Sequence, residues 1–167
     1  VLESPDGTWW GASDWTENDK TILVQNYNSK TNSQIYLVDV ATQKKQLILG
    51  KEEEPSANSA LAFDKDDKGV FYITDKFSQF SQLTYHNLES GEDVIISSEI
   101  PWDVDGFAMS EDGKRAAFVV NENGYSTLYL LDPKSFKFKK VNSIPLGLIG
   151  GMQFDKNNNR LGLTINT

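Results

Sequence analysis

His86 is the only histidine among the 167 residues, so it is the one imidazole that could serve as a general base for a nucleophile. His86 follows Tyr85 in a predicted strand, at a position that Val38 and Leu131 fill in strands of the same pattern. The apolar residues at the matching positions indicate that His86 is a structural, partly buried side chain. A metal site built on imidazole has little support, since the chain contains neither a second histidine nor a cysteine.

The remaining residues do not favour nucleophilic catalysis. The sequence has no G-x-S-x-G elbow and no glycine-rich phosphate loop before a predicted helix. Its carboxylates are plentiful, but almost all fall in predicted turns, where they are solvated rather than matched as an acid and a base. We therefore expect no catalytic residues, no cofactor-binding residues and no enzymatic activity in this chain by itself.

Two acidic turns resemble calcium loops. The first runs from Asp64 to Gly69 and has Asp75 at its twelfth place. However, Lys68 stands at the fifth place, where calcium needs an oxygen ligand, and the twelfth place is usually a bidentate glutamate. In the second turn, residues 155–159, Arg160 follows where the sharp-turn glycine belongs. We expect no metal at either turn.

The tryptophans offer a binding alternative. Trp102 and Asp103 form a WD dipeptide, but they lie between an outer strand and the next inner strand, so we interpret Trp102 as packing between repeats. Trp9, Trp10 and Trp102 have ring faces on which sugars stack in carbohydrate-binding proteins. Packing in the core or between repeats is the favoured interpretation of all three.

The elements that would position these residues are repeated. Trp15, Phe63, Met109 and Phe154 recur at intervals of 48, 46 and 45 residues, and a polar turn and an apolar strand follow each of them. Short strands at a period of about 40–50 residues are typical of β-propeller blades. The sequence therefore predicts an all-β fold, a partial β-propeller of about three and a half four-stranded antiparallel blades.

The predicted blades span approximately residues 11–50, 59–97, 105–142 and, as a half blade, 150–167, and residues 1–3 fit the end of a preceding blade. Inner strands are predicted at Ser13–Trp15, Leu61–Phe63, Phe107–Met109 and Met152–Phe154, and outer strands at Gln46–Leu49, Val94–Ser97 and Phe138–Val141. We interpret residues 1–167 as a fragment of one propeller domain. Its unpaired strand edges favour self-association.

Composition narrows the range of partners. The net charge of −8 and the sequence pI near 4.6 argue against nucleic acid, whose binding depends on clustered lysine and arginine. No apolar run approaches the roughly 18 residues of a membrane helix. The first residues also lack the basic and apolar regions of a signal peptide. The compartment stays undetermined, although the absence of cysteine slightly favours a periplasmic or secreted location over the cytoplasm.

The third repeat carries a resemblance to a known family. The stretch from Asp105 to Asp132 closely resembles a blade in bacterial members of the prolyl oligopeptidase family, in its acylaminoacyl-peptidase and dipeptidyl-peptidase-like branch. The flanking stretches Ile100–Val104 and Ile149–Phe154 are similar to the family, as are Gly11–Trp15 and Asn26-Tyr27. The resemblance covers essentially the whole chain.

This resemblance implies a role. In that family an N-terminal propeller covers a C-terminal α/β-hydrolase domain with a Ser-Asp-His triad, and the propeller limits access so that short peptides are cut and folded proteins are excluded. The chain would then be part of the lid. Its partners would be the hydrolase domain of the parent protein and the peptide substrates that pass the propeller. No residue here matches the triad, so no catalytic residue is carried over.

A different class of function remains open. Propellers serve many purposes, so the fold alone does not decide between them. The alternative is a stand-alone propeller that binds or scaffolds a protein or carbohydrate partner. It predicts a parent gene that ends soon after the ring of blades closes, whereas the peptidase hypothesis predicts a downstream hydrolase domain.

Overall fold

A computed structural model describes residue 4 and residues 7–167 and arranges them in fourteen β-strands and no helix. The chain divides into two compact units, residues 1–97 and 98–167. The strand end predicted at residues 1–3 lies outside the described residues. Nothing in the described ranges forms a helix that is long and apolar enough to cross a membrane.

The first unit contains two four-stranded antiparallel sheets, each with its strands in sequence order. The first sheet consists of β1 (Trp9–Trp15), β2 (Thr21–Ser29), β3 (Asn32–Asp39) and β4 (Lys45–Leu49). The second sheet consists of β5 (Asn58–Phe63), β6 (Gly69–Thr74), β7 (Gln82–Asn87) and β8 (Asp93–Ile95).

The second unit repeats this arrangement with one four-stranded and one two-stranded sheet. The third sheet consists of β9 (Asp103–Met109), β10 (Ala116–Glu122), β11 (Tyr125–Leu131) and β12 (Phe138–Lys140). The fourth sheet consists of β13 (Leu148–Phe154) and β14 (Leu161–Asn166). Short antiparallel sheets that follow one another in sequence, each built from adjacent strands, are the blades of a β-propeller, so the predicted fold class is confirmed.

Each unit buries an apolar core between its own two sheets. In the first unit, buried side chains of β2, β3 and β4 meet those of β5 and β6; the cluster is Leu23, Ile35, Leu49, Phe63, Val70 and Tyr72. In the second unit, Ala117, Val119 and Leu128 of the third sheet pack with partly buried side chains of the fourth, among them Met152, Phe154 and Leu163. Side chains alternate along a strand, so each sheet contributes one face to such a core.

The turn that joins the first two strands of a sheet has the same geometry in all four sheets. The N–H of its first residue donates to the carbonyl five residues later, and the N–H of its fourth residue donates back to the first. The fourth residue is in the left-handed region each time, with φ of 58° at Asp19, 56° at Asp67, 65° at Gly113 and 60° at Asn158. Asn, Asp and Gly tolerate this conformation best, which is why the turns of the repeat are rich in them.

In each unit this left-handed residue also ties the two sheets together. The Asp67 carboxylate of the second sheet accepts the N–H of Glu17 in the first sheet, at 3.1 and 3.2 Å. In the second unit, Asn158 Oδ1 accepts the N–H of Glu111 at 2.9 Å. One residue therefore closes a turn in its own sheet through its backbone and forms a latch to the preceding sheet through its side chain.

The hairpin between the third and fourth strands is repeated as well. Its first residue is Asp39, Asn87 or Asp132, and the side-chain oxygen accepts the N–H three residues later in each case. The next residue has a positive φ, at Gln43, Gly91 and Phe136. The predicted turn chemistry thus recurs in three sheets, although only one of them uses glycine at the left-handed position.

Several strand boundaries differ from the prediction. The first strand begins at Trp9 rather than at Ser13, and it contains a β-bulge between Ala12 and Asp14. The outer strand β8 ends at Ile95 instead of Ser97, because the N–H groups of residues 96 and 97 both converge on the Leu83 carbonyl. Two donors on one acceptor end the regular ladder and turn the chain away from the sheet.

Candidate functional site

A groove in the first unit contains the only histidine. The outer groove, as we name it, lies between the outer strands of the first and second sheets and has a volume of about 550 Å³. Its apolar lining includes Leu37, Ile48 and Leu88, which pack against the core of the unit. Its polar lining comprises Gln46, Lys51, Glu54, Ser56, Lys76, His86 and Asp93. A volume of this size is typical of small-molecule pockets.

Strand pairing places His86 beside a carboxylate. His86 on β7 is directly opposite Asp93 on β8, and the hairpin that begins at Asn87 fixes this register. His86 Nδ1 lies 2.8 Å from Asp93 Oδ1, and the His86 side chain is only 11% exposed. Because the Asp93 carboxylate only accepts hydrogen bonds, the proton of this contact is on His86 Nδ1, and in the neutral ring Nε2 is then an acceptor.

A phenol completes the group around this carboxylate. The hydroxyl of Tyr72 donates to Asp93 Oδ1 at 3.0 Å. Burial, reinforced by the negative charge of Asp93, raises the pKa of Tyr72 far above its ordinary value, so the phenol remains a neutral donor. Burial also raises the pKa of Asp93, but the hydrogen bonds from His86 and Tyr72 outweigh it, and its pKa ends below the ordinary value. Asp93 is therefore an ionised acceptor with two donors.

The three side chains can hold and orient a proton, but they lack a nucleophile. Ser56 also lines the groove, and its Oγ accepts a hydrogen bond from Asn58 Nδ2 at 3.0 Å. Within residues 4 and 7–167, no hydroxyl forms a hydrogen bond with His86 Nε2. The contacts of this group are hydrogen bonds that orient its side chains, which suits binding or structural stabilisation. The structure places His86 where the sequence predicted it, in a strand and largely buried.

A buried polar network holds the two sheets that form the groove in fixed positions. Asn58 at the start of β5 donates through Nδ2 to the Ser33 carbonyl at 2.7 Å and accepts from Thr74 Oγ1 at 2.8 Å. The Ser33 hydroxyl donates to the Asn58 carbonyl at 2.7 Å. All three residues are at most 2% exposed. The network crosses from the first sheet to the second, so it connects the two sheets that form the walls of the outer groove.

The two calcium-like turns use their carboxylates internally. Asp64 Oδ1 accepts the N–H groups of Asp66 and Lys68, and its Oδ2 accepts the Tyr85 hydroxyl at 2.5 Å. Asp75, the twelfth place of that pattern, accepts the N–H of Ala57 at 2.8 Å instead of facing the turn. In the described ranges no three His, Cys, Asp or Glu side chains are grouped as a metal site would require.

The tryptophans separate into two kinds of environment. Trp10 is partly buried, with its ring 5.1 Å from that of Tyr36 and the Lys45 ammonium 4.5 Å above it. Trp102 is partly buried just before β9. Trp9 is 60% exposed, and its ring lies so close over Gly11 that a Cβ there would overlap the indole.

Sequence reasoning did not identify the pairing of His86 with Asp93. The signal was available, because a hairpin that pairs residue 87 with residue 92 brings residues 86 and 93 into the next cross-strand pair. The participation of Tyr72 had no local signal. It lies 21 residues before Asp93 and reaches it only across the folded sheet.

Comparison with known proteins identifies the fold. No protein family model and no curated protein sequence matches the chain. Among solved structures, TolB from Acinetobacter baumannii has a TM-score of 0.67 and 17% identity over 93% of this chain and 37% of TolB. A prolyl endopeptidase has a TM-score of 0.71 and 10% identity over 90% of this chain and 22% of its own length. Puromycin hydrolase has a TM-score of 0.72 and 14% identity, with 91% and 25% covered.

These similarities establish a propeller domain. Identities of 10–17% extend over nearly the whole chain, whereas the chain spans only 22–37% of those three proteins. Proteins with different functions share these blades, so the similarity concerns the scaffold rather than the chemistry of a site.

Proposed function

We propose that the chain is the non-catalytic substrate-access portion of the β-propeller in a serine peptidase of the prolyl oligopeptidase family. The observation that carries the proposal is the similarity to a prolyl endopeptidase, in which 90% of this chain matches 22% of the enzyme. The resemblance of the Asp105–Asp132 repeat to blades of the same family supports it independently. The α/β-hydrolase domain would belong to another part of the parent protein.

The mechanism of such a domain is steric. Rigid sheets around a passage admit an extended peptide and exclude a folded protein. The inter-sheet network at Asn58 and the latches at Asp67 and Asn158 oppose separation of neighbouring sheets within each unit. This role requires no nucleophile, metal or cofactor from the chain. Its partners would be the hydrolase domain and the peptides that reach that domain.

The test uses the full-length product of the parent gene. Downstream of this region we expect a G-x-S-x-G motif followed by an aspartate and a histidine, and the purified protein should react with a fluorophosphonate at that serine. It should cleave short peptides and leave intact a folded protein that contains the same peptide sequences. A reading frame that ends without a hydrolase domain would refute the proposal.

The second candidate is a stand-alone propeller that binds or scaffolds a protein or carbohydrate partner. The similarity to TolB favours it, because the chain covers 37% of TolB, a larger share than of the other two proteins. The exposed Trp9 offers a ring face for either kind of partner. A parent gene without a hydrolase, together with a stable partner recovered by affinity purification, would select this candidate. Both candidates are compatible with a periplasmic or secreted location, which cell fractionation would test.

We also propose that the 167-residue chain associates with itself through strand edges at its sheets. Light scattering across a hundredfold concentration range should show an increase in mass. A monomer of constant mass at high concentration would contradict this.

A further inference from the structure

The outer groove lies between two complete sheets of one unit. The first and second sheets each have four strands, and the residues that line the groove belong to these sheets and to the connections within and between them. Both walls of the groove are therefore present in the described residues. Acidic, basic and apolar side chains share a volume of about 550 Å³, a combination typical of a small-molecule site.

Two hydrogen-bond acceptors at this groove lack a donor. Asp93 Oδ1 accepts from both His86 and Tyr72, whereas no donor among the described residues is bound to Asp93 Oδ2. His86 uses Nδ1 for Asp93, and its Nε2 has no hydrogen-bond partner in the same part of the chain. The side chains of His86 and Asp93 are only 11% and 17% exposed. Largely buried acceptors without donors indicate a place for a ligand that donates hydrogen bonds.

The charge of Asp93 decides which donor fits. Burial raises the pKa of Asp93, but the hydrogen bonds from His86 and Tyr72 outweigh it, so the carboxylate is ionised at neutral pH. Lys76 also favours the ionised form, but its ammonium lies 5.2 Å from the centre of the Phe77 ring, and within residues 4 and 7–167 it forms no ion pair with Asp93. An ionised oxygen beside an imidazole acceptor is the complement of an ammonium group, which carries a positive charge and three donors.

The apolar part of the groove is suited to an aliphatic side chain. The apolar wall, as we name it, consists of Leu37, Ile48 and Leu88. All three are only partly buried, although they pack against the core of the unit. A side chain laid against them would remove further apolar area from water, which favours binding.

Two cations at the groove complement a carboxylate. Lys51 and Lys76, which we call the groove lysines, both line it and are exposed. In the described ranges neither of them forms an ion pair. Their flexible four-carbon stems allow the ammonium groups to approach a ligand from the entrance. Glu54 is exposed at the groove as well and would repel a carboxylate, but the two lysines outnumber it.

We propose that the outer groove binds a free aliphatic amino acid such as leucine. The ammonium of the amino acid would donate to Asp93 Oδ2 and His86 Nε2, its side chain would lie against the apolar wall, and its carboxylate would pair with the groove lysines. An amine would leave the lysines without a partner, and a fatty acid would leave the two acceptors without a donor. The proposal does not depend on the peptidase role, because it involves no hydrolase domain.

The test titrates the 167-residue chain with L-leucine at neutral pH by isothermal titration calorimetry. Each of three control ligands lacks one group of leucine: isoamylamine has no carboxylate, isocaproate has no ammonium, and glycine has no apolar side chain. We expect isocaproate and glycine to bind more weakly than leucine by about tenfold or more, because each loses a buried interaction. Isoamylamine should be weaker only severalfold, because the contact it loses is to exposed lysines.

Variants locate the site. Asp93→Asn removes the charge that attracts the ammonium, so leucine and isoamylamine should bind about tenfold more weakly, with isocaproate unaffected. Lys51→Gln with Lys76→Gln should reduce the affinity for leucine to that for isoamylamine and leave isoamylamine unweakened. The matched control, Lys20→Gln with Lys30→Gln, makes the same charge change at exposed lysines of the first unit outside the groove and should leave leucine binding within twofold. Circular dichroism establishes that each variant is folded. The lysine variants change only exposed side chains, so they test the proposal even if Asp93→Asn does not fold.

Four results would overturn the proposal. No binding at millimolar leucine would eliminate the site. Equal binding of isocaproate would eliminate recognition of the ammonium. Equal losses from the two double lysine variants would mean that the ligand senses only net charge. A folded Asp93→Asn variant with unchanged leucine affinity would assign the two acceptors a purely structural role.

Discussion

The Asn58→Ala substitution provides the sharpest test of how the first unit is held together. Asn58 is 2% exposed and crosses from the second sheet to the first. Its Nδ2 has two hydrogens, which are shared among the Ser33 carbonyl at 2.7 Å and the Ser56 Oγ and carbonyl at 3.0 and 3.1 Å. Its Oδ1 accepts the Thr74 hydroxyl at 2.8 Å.

The expected magnitude follows from the groups left without partners. In the alanine variant the Ser33 carbonyl loses the Asn58 donor, and the Thr74 hydroxyl keeps the Lys76 N–H as a donor but loses its own acceptor. Each buried group left unsatisfied in this way costs about 1–3 kcal/mol. A water molecule that entered the space would recover part of this loss. We therefore expect the free energy of unfolding of the first unit to fall by about 2–4 kcal/mol. For a unit of this size, such a change lowers the melting temperature by about 8 °C or more.

Urea unfolding followed by tryptophan fluorescence is the assay. Three of the four tryptophans, Trp9, Trp10 and Trp15, belong to the first unit, so the signal reports mainly on that unit. Ser59→Ala is the control, because Ser59 is the next residue of β5 and its side chain is exposed. A loss below 1 kcal/mol in the Asn58 variant, or an equal loss in the control, would refute the reasoning.

Other predictions concern individual positions and use urea or thermal unfolding. Asp93→Asn removes a charged acceptor of two hydrogen bonds and should cost about 1.5–3 kcal/mol at pH 7. The folded-state pKa of Asp93 is lowered, so the stability that its carboxylate contributes is complete above its ordinary pKa of 3.8 and is lost as the pH falls through the folded-state pKa. The free energies of unfolding of the variant and the wild type should therefore converge in acid. A difference in stability that stayed constant with pH would contradict this. Gly91 has a φ of 73° and no atom within 4 Å of a new Cβ, so Gly91→Ala should lower stability by about 1 kcal/mol from backbone strain alone. Gln43→Gly, at a φ of 58° in the equivalent turn, should be neutral or stabilising. A stabilised Gly91→Ala variant would disprove the assignment of strain. Gly69→Ala should cost about 1–3 kcal/mol, because the new Cβ overlaps the Tyr85 phenol; an unchanged melting temperature would show that the phenol moves aside freely.

Local turn chemistry made the repeat predictable from the sequence. Asp64, Ser110 and Asp155 each begin a turn whose hydrogen bonds lie within six residues, so composition and spacing were sufficient to predict it. The spacing of Trp15, Phe63, Met109 and Phe154 along the chain then predicted the number of sheets. These signals are local, and they are repeated, which reduces the chance of a coincidental match.

Features that depend on contacts between sheets were not predictable in the same way. Phe63 is 3% exposed, whereas Trp15, which occupies the equivalent position of the repeat, is 49% exposed, because exposure depends on which sheet packs beside the strand. The donation from Tyr72 to Asp93 and the Asn58 network link residues 16–25 positions apart in sequence. Neither follows from strand propensity, which assigns a residue to a face but not to a partner.

The latch residues set a rule for anyone who recombines these sheets into new arrays. The fourth turn position must adopt a left-handed backbone and also offer an oxygen to the sheet before it, so only Asp or Asn serves both purposes well. Asp67 and Asn158 satisfy the rule, while Gly113 tolerates the turn but has no side chain to offer. A recombined sheet with glycine at this turn position would therefore need Asn or Asp there before it could form the same latch.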